Sequence, residues 1–209
     1  MCRFKSGIIL KTRSYVAEGN DDSHTALLEK LNIVDSVENA MTKFVRVELI
    51  PENNEWWTNP INWKFHVDQD IVPDWFEEDR EKYLNEFRNR VIDWWNNHVF
   101  VDKNIENLNT GYYRLKRCKV GSLSGNVHVI LDNSIVKVMY DKSIVKEMYD
   151  NSMVKVMYDK SIVKEMYDNS MVEEMFNNSM VEEMFNNSDR KSTRLNSSHS
   201  AKSRMPSSA

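Results

Sequence analysis

The chain has 209 residues, 41% hydrophobic and 29% charged, with a formal net charge of −4 and only two cysteines. That length permits one or two domains. Two cysteines exclude a disulfide framework, no apolar run approaches the roughly 20 residues of a membrane span, and the acidic balance disfavours nonspecific binding to nucleic acid or an anionic membrane.

The N-terminus MCRFKSGIILKTRSYV has a basic start. Its apolar run GIIL is too short for a secretion signal, so the expectation is a soluble protein of a reducing cytoplasm. Ser6 to Leu10 suits a buried strand, and Thr12 to Val16 suits its hairpin partner. After the polar loop GNDDS, Asp22 or Ser23 can cap a helix over His24 to Leu31, because a side-chain oxygen satisfies free amides of the first turn. Phe44 to Ile50 (FVRVELI) alternates as a strand with one buried face and ends at Pro51. Trp63 to Val67 (WKFHV) alternates likewise. From Asp74 or Glu77 to Asn97, the residues Leu84, Phe87, Val91 and Trp95 recur at helical spacing. Acids at Glu77, Glu78 and Asp79 complement the positive end of the helix dipole. Val99 to Val101 suits a further strand. The sum is an α+β domain over residues 1–118, followed by a linker or cap over 119–131 that includes the turn-prone GSLSG.

From Asp132 to Phe185 one nine-residue unit repeats six times: DNSIVKVMY, DKSIVKEMY, DNSMVKVMY, DKSIVKEMY, DNSMVEEMF and NNSMVEEMF. Such a repeat predicts a quasi-one-dimensional array over 132–188 in which each unit buries its apolar face on its neighbours. A helix turns about 100° per residue, so nine residues rotate it by two and a half turns and place successive apolar pairs on opposite sides. A β-solenoid removes that conflict. Turns fall at the Asn-Ser corners, and coils of 18 residues, two units each, stack about 4.8 Å apart. Tyr140, Tyr149, Tyr158, Tyr167, Phe176 and Phe185 would then form aromatic ladders, and Asn133, Asn151 and Asn169 an amide ladder. The competing signal is the S-x-x-E capping box at Ser170–Glu173 and Ser179–Glu182, which favours short helices.

The last 21 residues, DRKSTRLNSSHSAKSRMPSSA, lack apolar periodicity and hold seven serines and five basic residues. They resemble a sequencing-library adapter translated in frame, which places residues 189–209 outside the expected fold as a disordered tail. Without them the balance is 23 basic against 31 acidic residues, and the array is open-ended.

Three groups of residues carry candidate chemistry. Removal of Met1 would expose Cys2 with its own amine as base, the logic of N-terminal-nucleophile amide hydrolases. His66, Asp68 and Asp70 (HVDQD) alternate near a strand end and could hold a divalent metal, although DQD also reads as the polar turn that closes the strand. Trp56 and Trp57, in the loop ENNEWWTNP, could stack on a sugar or grip a protein partner. Lys137, Lys146, Lys155 and Lys164 recur every nine residues, but Glu173 and Glu182 replace them later, which reads as a solvated face. His24, His98 and His128 stand isolated in sequence. No cofactor is implied.

The segments MCRFKSGIIL, DDSHTALLEKL, FVRVELIP and WKFHVDQDIVPDWF resemble the front domain of an uncharacterised family in bacteria and their phages, whose members carry a tail of short GNATV-x-x-VY-type repeats. Here Ser replaces the Ala, and Ile or Met the Thr. The resemblance implies an architecture and a mobile-element origin, with no site residues. The function expected is a non-enzymatic structural or interaction scaffold, meeting a protein partner or a second copy through the solenoid edge. The alternatives are the Cys2 hydrolase and a binding head built on the tryptophans.

Overall fold

The computed structural model describes residues 4–19, 22–190 and 202–203 and divides the chain into two compact units, 1–98 and 99–209. In the first unit, strands β1 (Lys5–Leu10), β2 (Arg13–Val16), β3 (Phe44–Ile50) and β4 (Lys64–Val67) form an antiparallel sheet in the order β2-β1-β3-β4. Helices α1 (His24–Lys30), α2 (Val37–Thr42), α3 (Asp74–Glu78) and α4 (Arg80–His98) complete the unit. This is the α+β head expected from the alternation.

The period-two pattern of β3 divides two cores. Val45, Val47 and Leu49 pack with Ile9 against Phe76, Tyr83, Phe87 and Val91 of α3 and α4. Phe44 packs with Ile8 against Leu27 and Leu28 of α1. Gly7 allows the closest approach on the α4 side, since a Cβ there would lie 2.1 Å from Phe87. Ser23 caps α1, its Oγ accepting from the Ala26 amide at 3.2 Å. Helix α2, capped by Ser36, was not foreseen, because its residues VENAMT bury no side chain and carry no apolar stripe.

The expected division near residue 118 moves to His98/Val99, and the expected linker 119–131 is strand. Strands β5 (Val99–Val101), β6 (Asn104–Lys116) and β7 (Lys119–Asp132) are the first rungs of the solenoid. Their interior positions, including Leu115, Val120, Leu123, Val127 and Val129, lie outside any copy of the nonapeptide unit, so the repeat alone does not reveal them. Beyond them come β8 (Ile135–Met139), β9 (Ile144–Tyr149), β10 (Met153–Met157), β11 (Ile162–Met166), β12 (Met171–Met175) and β13 (Met180–Met184).

Alternate strands stack in two parallel columns: β7-β8-β10-β12 and β7-β9-β11-β13. Ile135 faces Met153, and Ile162 faces Met180, so each coil of the repeat takes eighteen residues. The coil is shorter before the repeat begins, where Lys119 faces Ile135 and Asn104 faces Lys119. Val136, Met139, Val145, Met148, Val154, Met157, Val163 and Met166 are wholly buried between the columns. Each such side chain contributes on the order of 1.5–3 kcal/mol of burial. The helical reading of Ser170 and Ser179 fails because both serines lie buried at corners, with β12 and β13 following them.

The corners explain the polar triplet of each unit. Asp141, Asp150, Asp159, Asp168, Asn177 and Asn186 all hold φ between 55° and 60°. Asp and Asn tolerate that left-handed conformation better than other residues bearing a Cβ. The next serine closes the turn: the Ser161 amide and Oγ donate to the Tyr158 carbonyl at 3.2 and 2.8 Å. Short strands Asp189–Arg190 and Lys202–Ser203 (β14 and β15) pair in parallel with β12 and β13. These four residues of the segment placed outside the fold therefore join it, because the last coil presents unpaired amides and carbonyls that any extended segment can satisfy.

Candidate functional site

The polar face of the head begins with strand register. Ser6, Glu48 and His66 lie side by side on β1, β3 and β4. The Phe44/Arg46/Glu48 phase of β3 points to the α1 side of the sheet. Beyond Val67 the chain continues one residue in sheet register, the Asp68 amide donating to the Arg46 carbonyl at 2.9 Å. Gln69 then ends the strand. Its Oε1 accepts from the Arg46 amide at 2.8 Å, and its Nε2 donates to the Ile71 carbonyl at 2.7 Å. The turn reading of DQD is thus the local structure, with Gln69 as its closing residue.

His24 enters from the start of α1, held there by the Ser23 cap. Its Nε2 stands 3.0 Å from the Val47 carbonyl, and its Nδ1 lies 3.3 Å from Oδ2 of Asp68. His24, Glu48 and Asp68 each bring one ligand atom into a group whose members all lie within 4.8 Å of one another. The His24 side chain is 10% exposed and that of Asp68 49%, so the group is closed on the helix side and open at Asp68. Burial pushes the His24 imidazole below its usual value, against the opposing effects of the Val47 carbonyl and Asp68. Burial, then the Asp68 charge, pushes the Glu48 carboxyl up.

Beside this group Lys5 is wholly buried, its Nζ 2.8 Å from Asp22 Oδ1 and 4.1 Å from the Trp94 ring centre. The Ser6 hydroxyl donates to the Asp22 carbonyl at 2.6 Å. These contacts tie the loop before α1 to the sheet and so help to set the position of His24.

Among the expected site residues, the structure brings Asp68 into a polar cluster but with different partners. His66 is exposed and faces Glu48 across β3 and β4, outside the close group. Asp70 turns away to an open groove with Asp35, Arg46 and Ile71. The structure thus groups Asp68 with His24 and Glu48 and not with His66 and Asp70, because the strand stops at Gln69 and its alternation does not continue. Trp56 does not present a stacking surface. It is 2% exposed and packs edge-on to Trp63 at 5.3 Å. Trp57 lies partly buried against the same core. Cys2 lies outside the described residues.

On the solenoid, the lysines that recur every nine residues divide between the columns, Lys137 and Lys155 on one and Lys146 and Lys164 on the other. Glu147, Glu165 and Glu183 face one another in successive rungs. The Tyr149 and Tyr167 hydroxyls donate to Glu147 and Glu165, and burial together with that contact raises the Tyr167 phenol. The amide ladder is present in its first link, Asn151 Nδ2 donating to Asn133 Oδ1 at 3.2 Å. Asn169 makes no such link among the described residues, while at the neighbouring corner position Asn177 and Asn186 donate to Asp159 and Asp168.

No helix among the described residues is long and apolar enough to cross a membrane. No known protein family, curated protein or solved structure matches this chain.

Proposed function

We propose that the protein is a non-enzymatic scaffold: an α+β head joined to a β-solenoid that acts as spacer and as an edge for self-association or a protein partner. One observation supports this best. The last rungs accept further strands, even from Asp189–Arg190 and Lys202–Ser203, which share nothing with the repeat. An edge that pairs by backbone groups alone is indifferent to sequence and suits assembly. The resemblance of the head to phage and bacterial proteins favours a mobile-element setting in a cytoplasm.

The test compares the full chain with one ending at Ser188. Removing β14 and β15 bares the edges of β12 and β13, so the shortened chain is expected to associate with rising concentration in sedimentation velocity, and more strongly than the full chain. Monomeric behaviour of both across the accessible range would count against the reading. So would amide hydrolysis by the full chain that disappears in Cys2→Ala, which would favour the hydrolase alternative.

A further inference from the structure

We propose that His24, Glu48 and Asp68 form a binding site for a divalent transition-metal ion, with zinc the ion that fits the donor set. The first argument is the tautomer of His24. A backbone carbonyl only accepts hydrogen bonds, so the 3.0 Å contact with Val47 requires the proton on Nε2. In the neutral ring Nδ1 then presents a lone pair. That lone pair stands 3.3 Å from a carboxylate oxygen of Asp68, a contact that needs either a second proton on the ring or a metal ion between the two atoms. A ring whose far nitrogen is anchored to a backbone carbonyl while the near one faces acids has the outer-sphere pattern of metal-ligating histidine.

The second argument is independent of His24. Glu48 is 9% exposed, and its carboxylate makes no hydrogen bond or close ion pair among the described residues, His66 on the next strand acting on it only through its charge. Largely buried carboxylates are ordinarily paired or bound to metal, and this one keeps only a little contact with solvent. Here the carboxylate lies in the same group as a ring nitrogen of His24 and a carboxylate oxygen of Asp68.

Geometry and chemistry agree. Zinc bonds of about 2.0–2.2 Å to nitrogen and oxygen hold tetrahedral ligand atoms about 3.3–3.5 Å apart. The His24–Asp68 separation already has that value, and the 4.8 Å limit of the group leaves Glu48 a short side-chain rotation to complete it. One imidazole with two carboxylates favours zinc or manganese over calcium or magnesium, which prefer oxygen throughout. The half-exposed Asp68 leaves the outer side of the site to water.

Calorimetric titration of zinc into the EDTA-treated full chain tests this, with His24→Ala, Glu48→Gln and Asp68→Asn as variants and Cys2→Ala and His128→Ala as controls. The expected result is one equivalent bound with micromolar or tighter affinity, weakened at least tenfold in each of the three variants and unchanged in both controls. Thermal melting supplies a second readout. Zinc should raise the Tm of the wild type and leave that of Glu48→Gln unchanged, while metal-free Glu48→Gln melts no lower than metal-free wild type. Absence of zinc uptake would overturn the proposal and leave a proton shared between His24 and Asp68 as the account of their contact. Uptake that survives all three substitutions, or that vanishes in Cys2→Ala, would overturn it as well.

Discussion

Tyr149 lies directly over Tyr167, their ring centres 5.1 Å apart and their planes 9° from parallel. Phe185 continues that column at 4.9 Å, and Tyr158 stacks on Phe176 at 5.0 Å in the other. Side chains one coil apart thus meet face to face, which requires the eighteen-residue register to hold without slippage. Five of the six rings expected to form ladders stack in this way, as two columns, and Tyr140 is not among the stacked pairs. Stacked pairs of this kind contribute about 0.5–1.5 kcal/mol each beyond burial. Tyr167→Ala removes two of them, so a loss of about 1–3 kcal/mol is expected in urea unfolding. Tyr167→Phe, which copies Phe185, should stay within about 0.5 kcal/mol.

The corner residues give a sharper conformational test. Asp159 holds φ 57°, and its carboxylate accepts from Asn177 Nδ2 at 3.4 Å. Asp159→Asn reproduces what Asn177 already does one coil later and is expected to be neutral. Asp159→Val puts a β-branched side chain in the left-handed region and should cost about 1–2 kcal/mol. Equilibrium denaturation of the two variants checks the difference.

Removal of residues 150–167 takes out one full coil and brings Met171 opposite Ile135, as Met153 now is. The shortened chain should keep the β-solenoid circular dichroism and lose about 4.8 Å of stack height by small-angle scattering. A single-residue insertion after Val154 moves every later side chain of that strand to the opposite face and should unfold the array locally. Met157→Ala, at a position with no exposure, is expected to cost about 2–5 kcal/mol.

Two groups in the head make opposite contributions to stability as pH changes. His24 has a lowered folded pKa, so the unfolded chain binds its proton first. Its contribution is whole above the unfolded value of about 6.5 and declines as pH falls below it. Glu48 has a raised folded pKa, so its contribution is whole below the unfolded value near 4.5 and is lost as pH rises through the folded value. Glu48→Gln removes that second loss. In metal-free buffer at pH 7 it should raise stability, by on the order of 1 kcal/mol. Urea melts at pH 5, 6 and 7 distinguish the two slopes.

Much of this protein was determined by the order of its residues. The alternation in FVRVELI specifies a strand with two different faces, and the nonapeptide specifies corners, ladders and the eighteen-residue coil. These are local properties: left-handed corners favour Asp and Asn, and a period of nine does not keep apolar side chains on one side of a helix. The start of the solenoid was decided by tertiary structure, since β6 and β7 bury Leu115, Leu123 and Val127 without any repeat to announce them. So was the polar site. Asp68 stood out beside His66 and Asp70, yet His24 read as isolated and Glu48 as one residue of an alternating strand. They meet only because α1 lies over the face of β3 that carries Glu48, and because Gln69 stops the strand just after Asp68. Such a meeting depends on cross-strand register and helix packing, which bring together residues far apart in the chain.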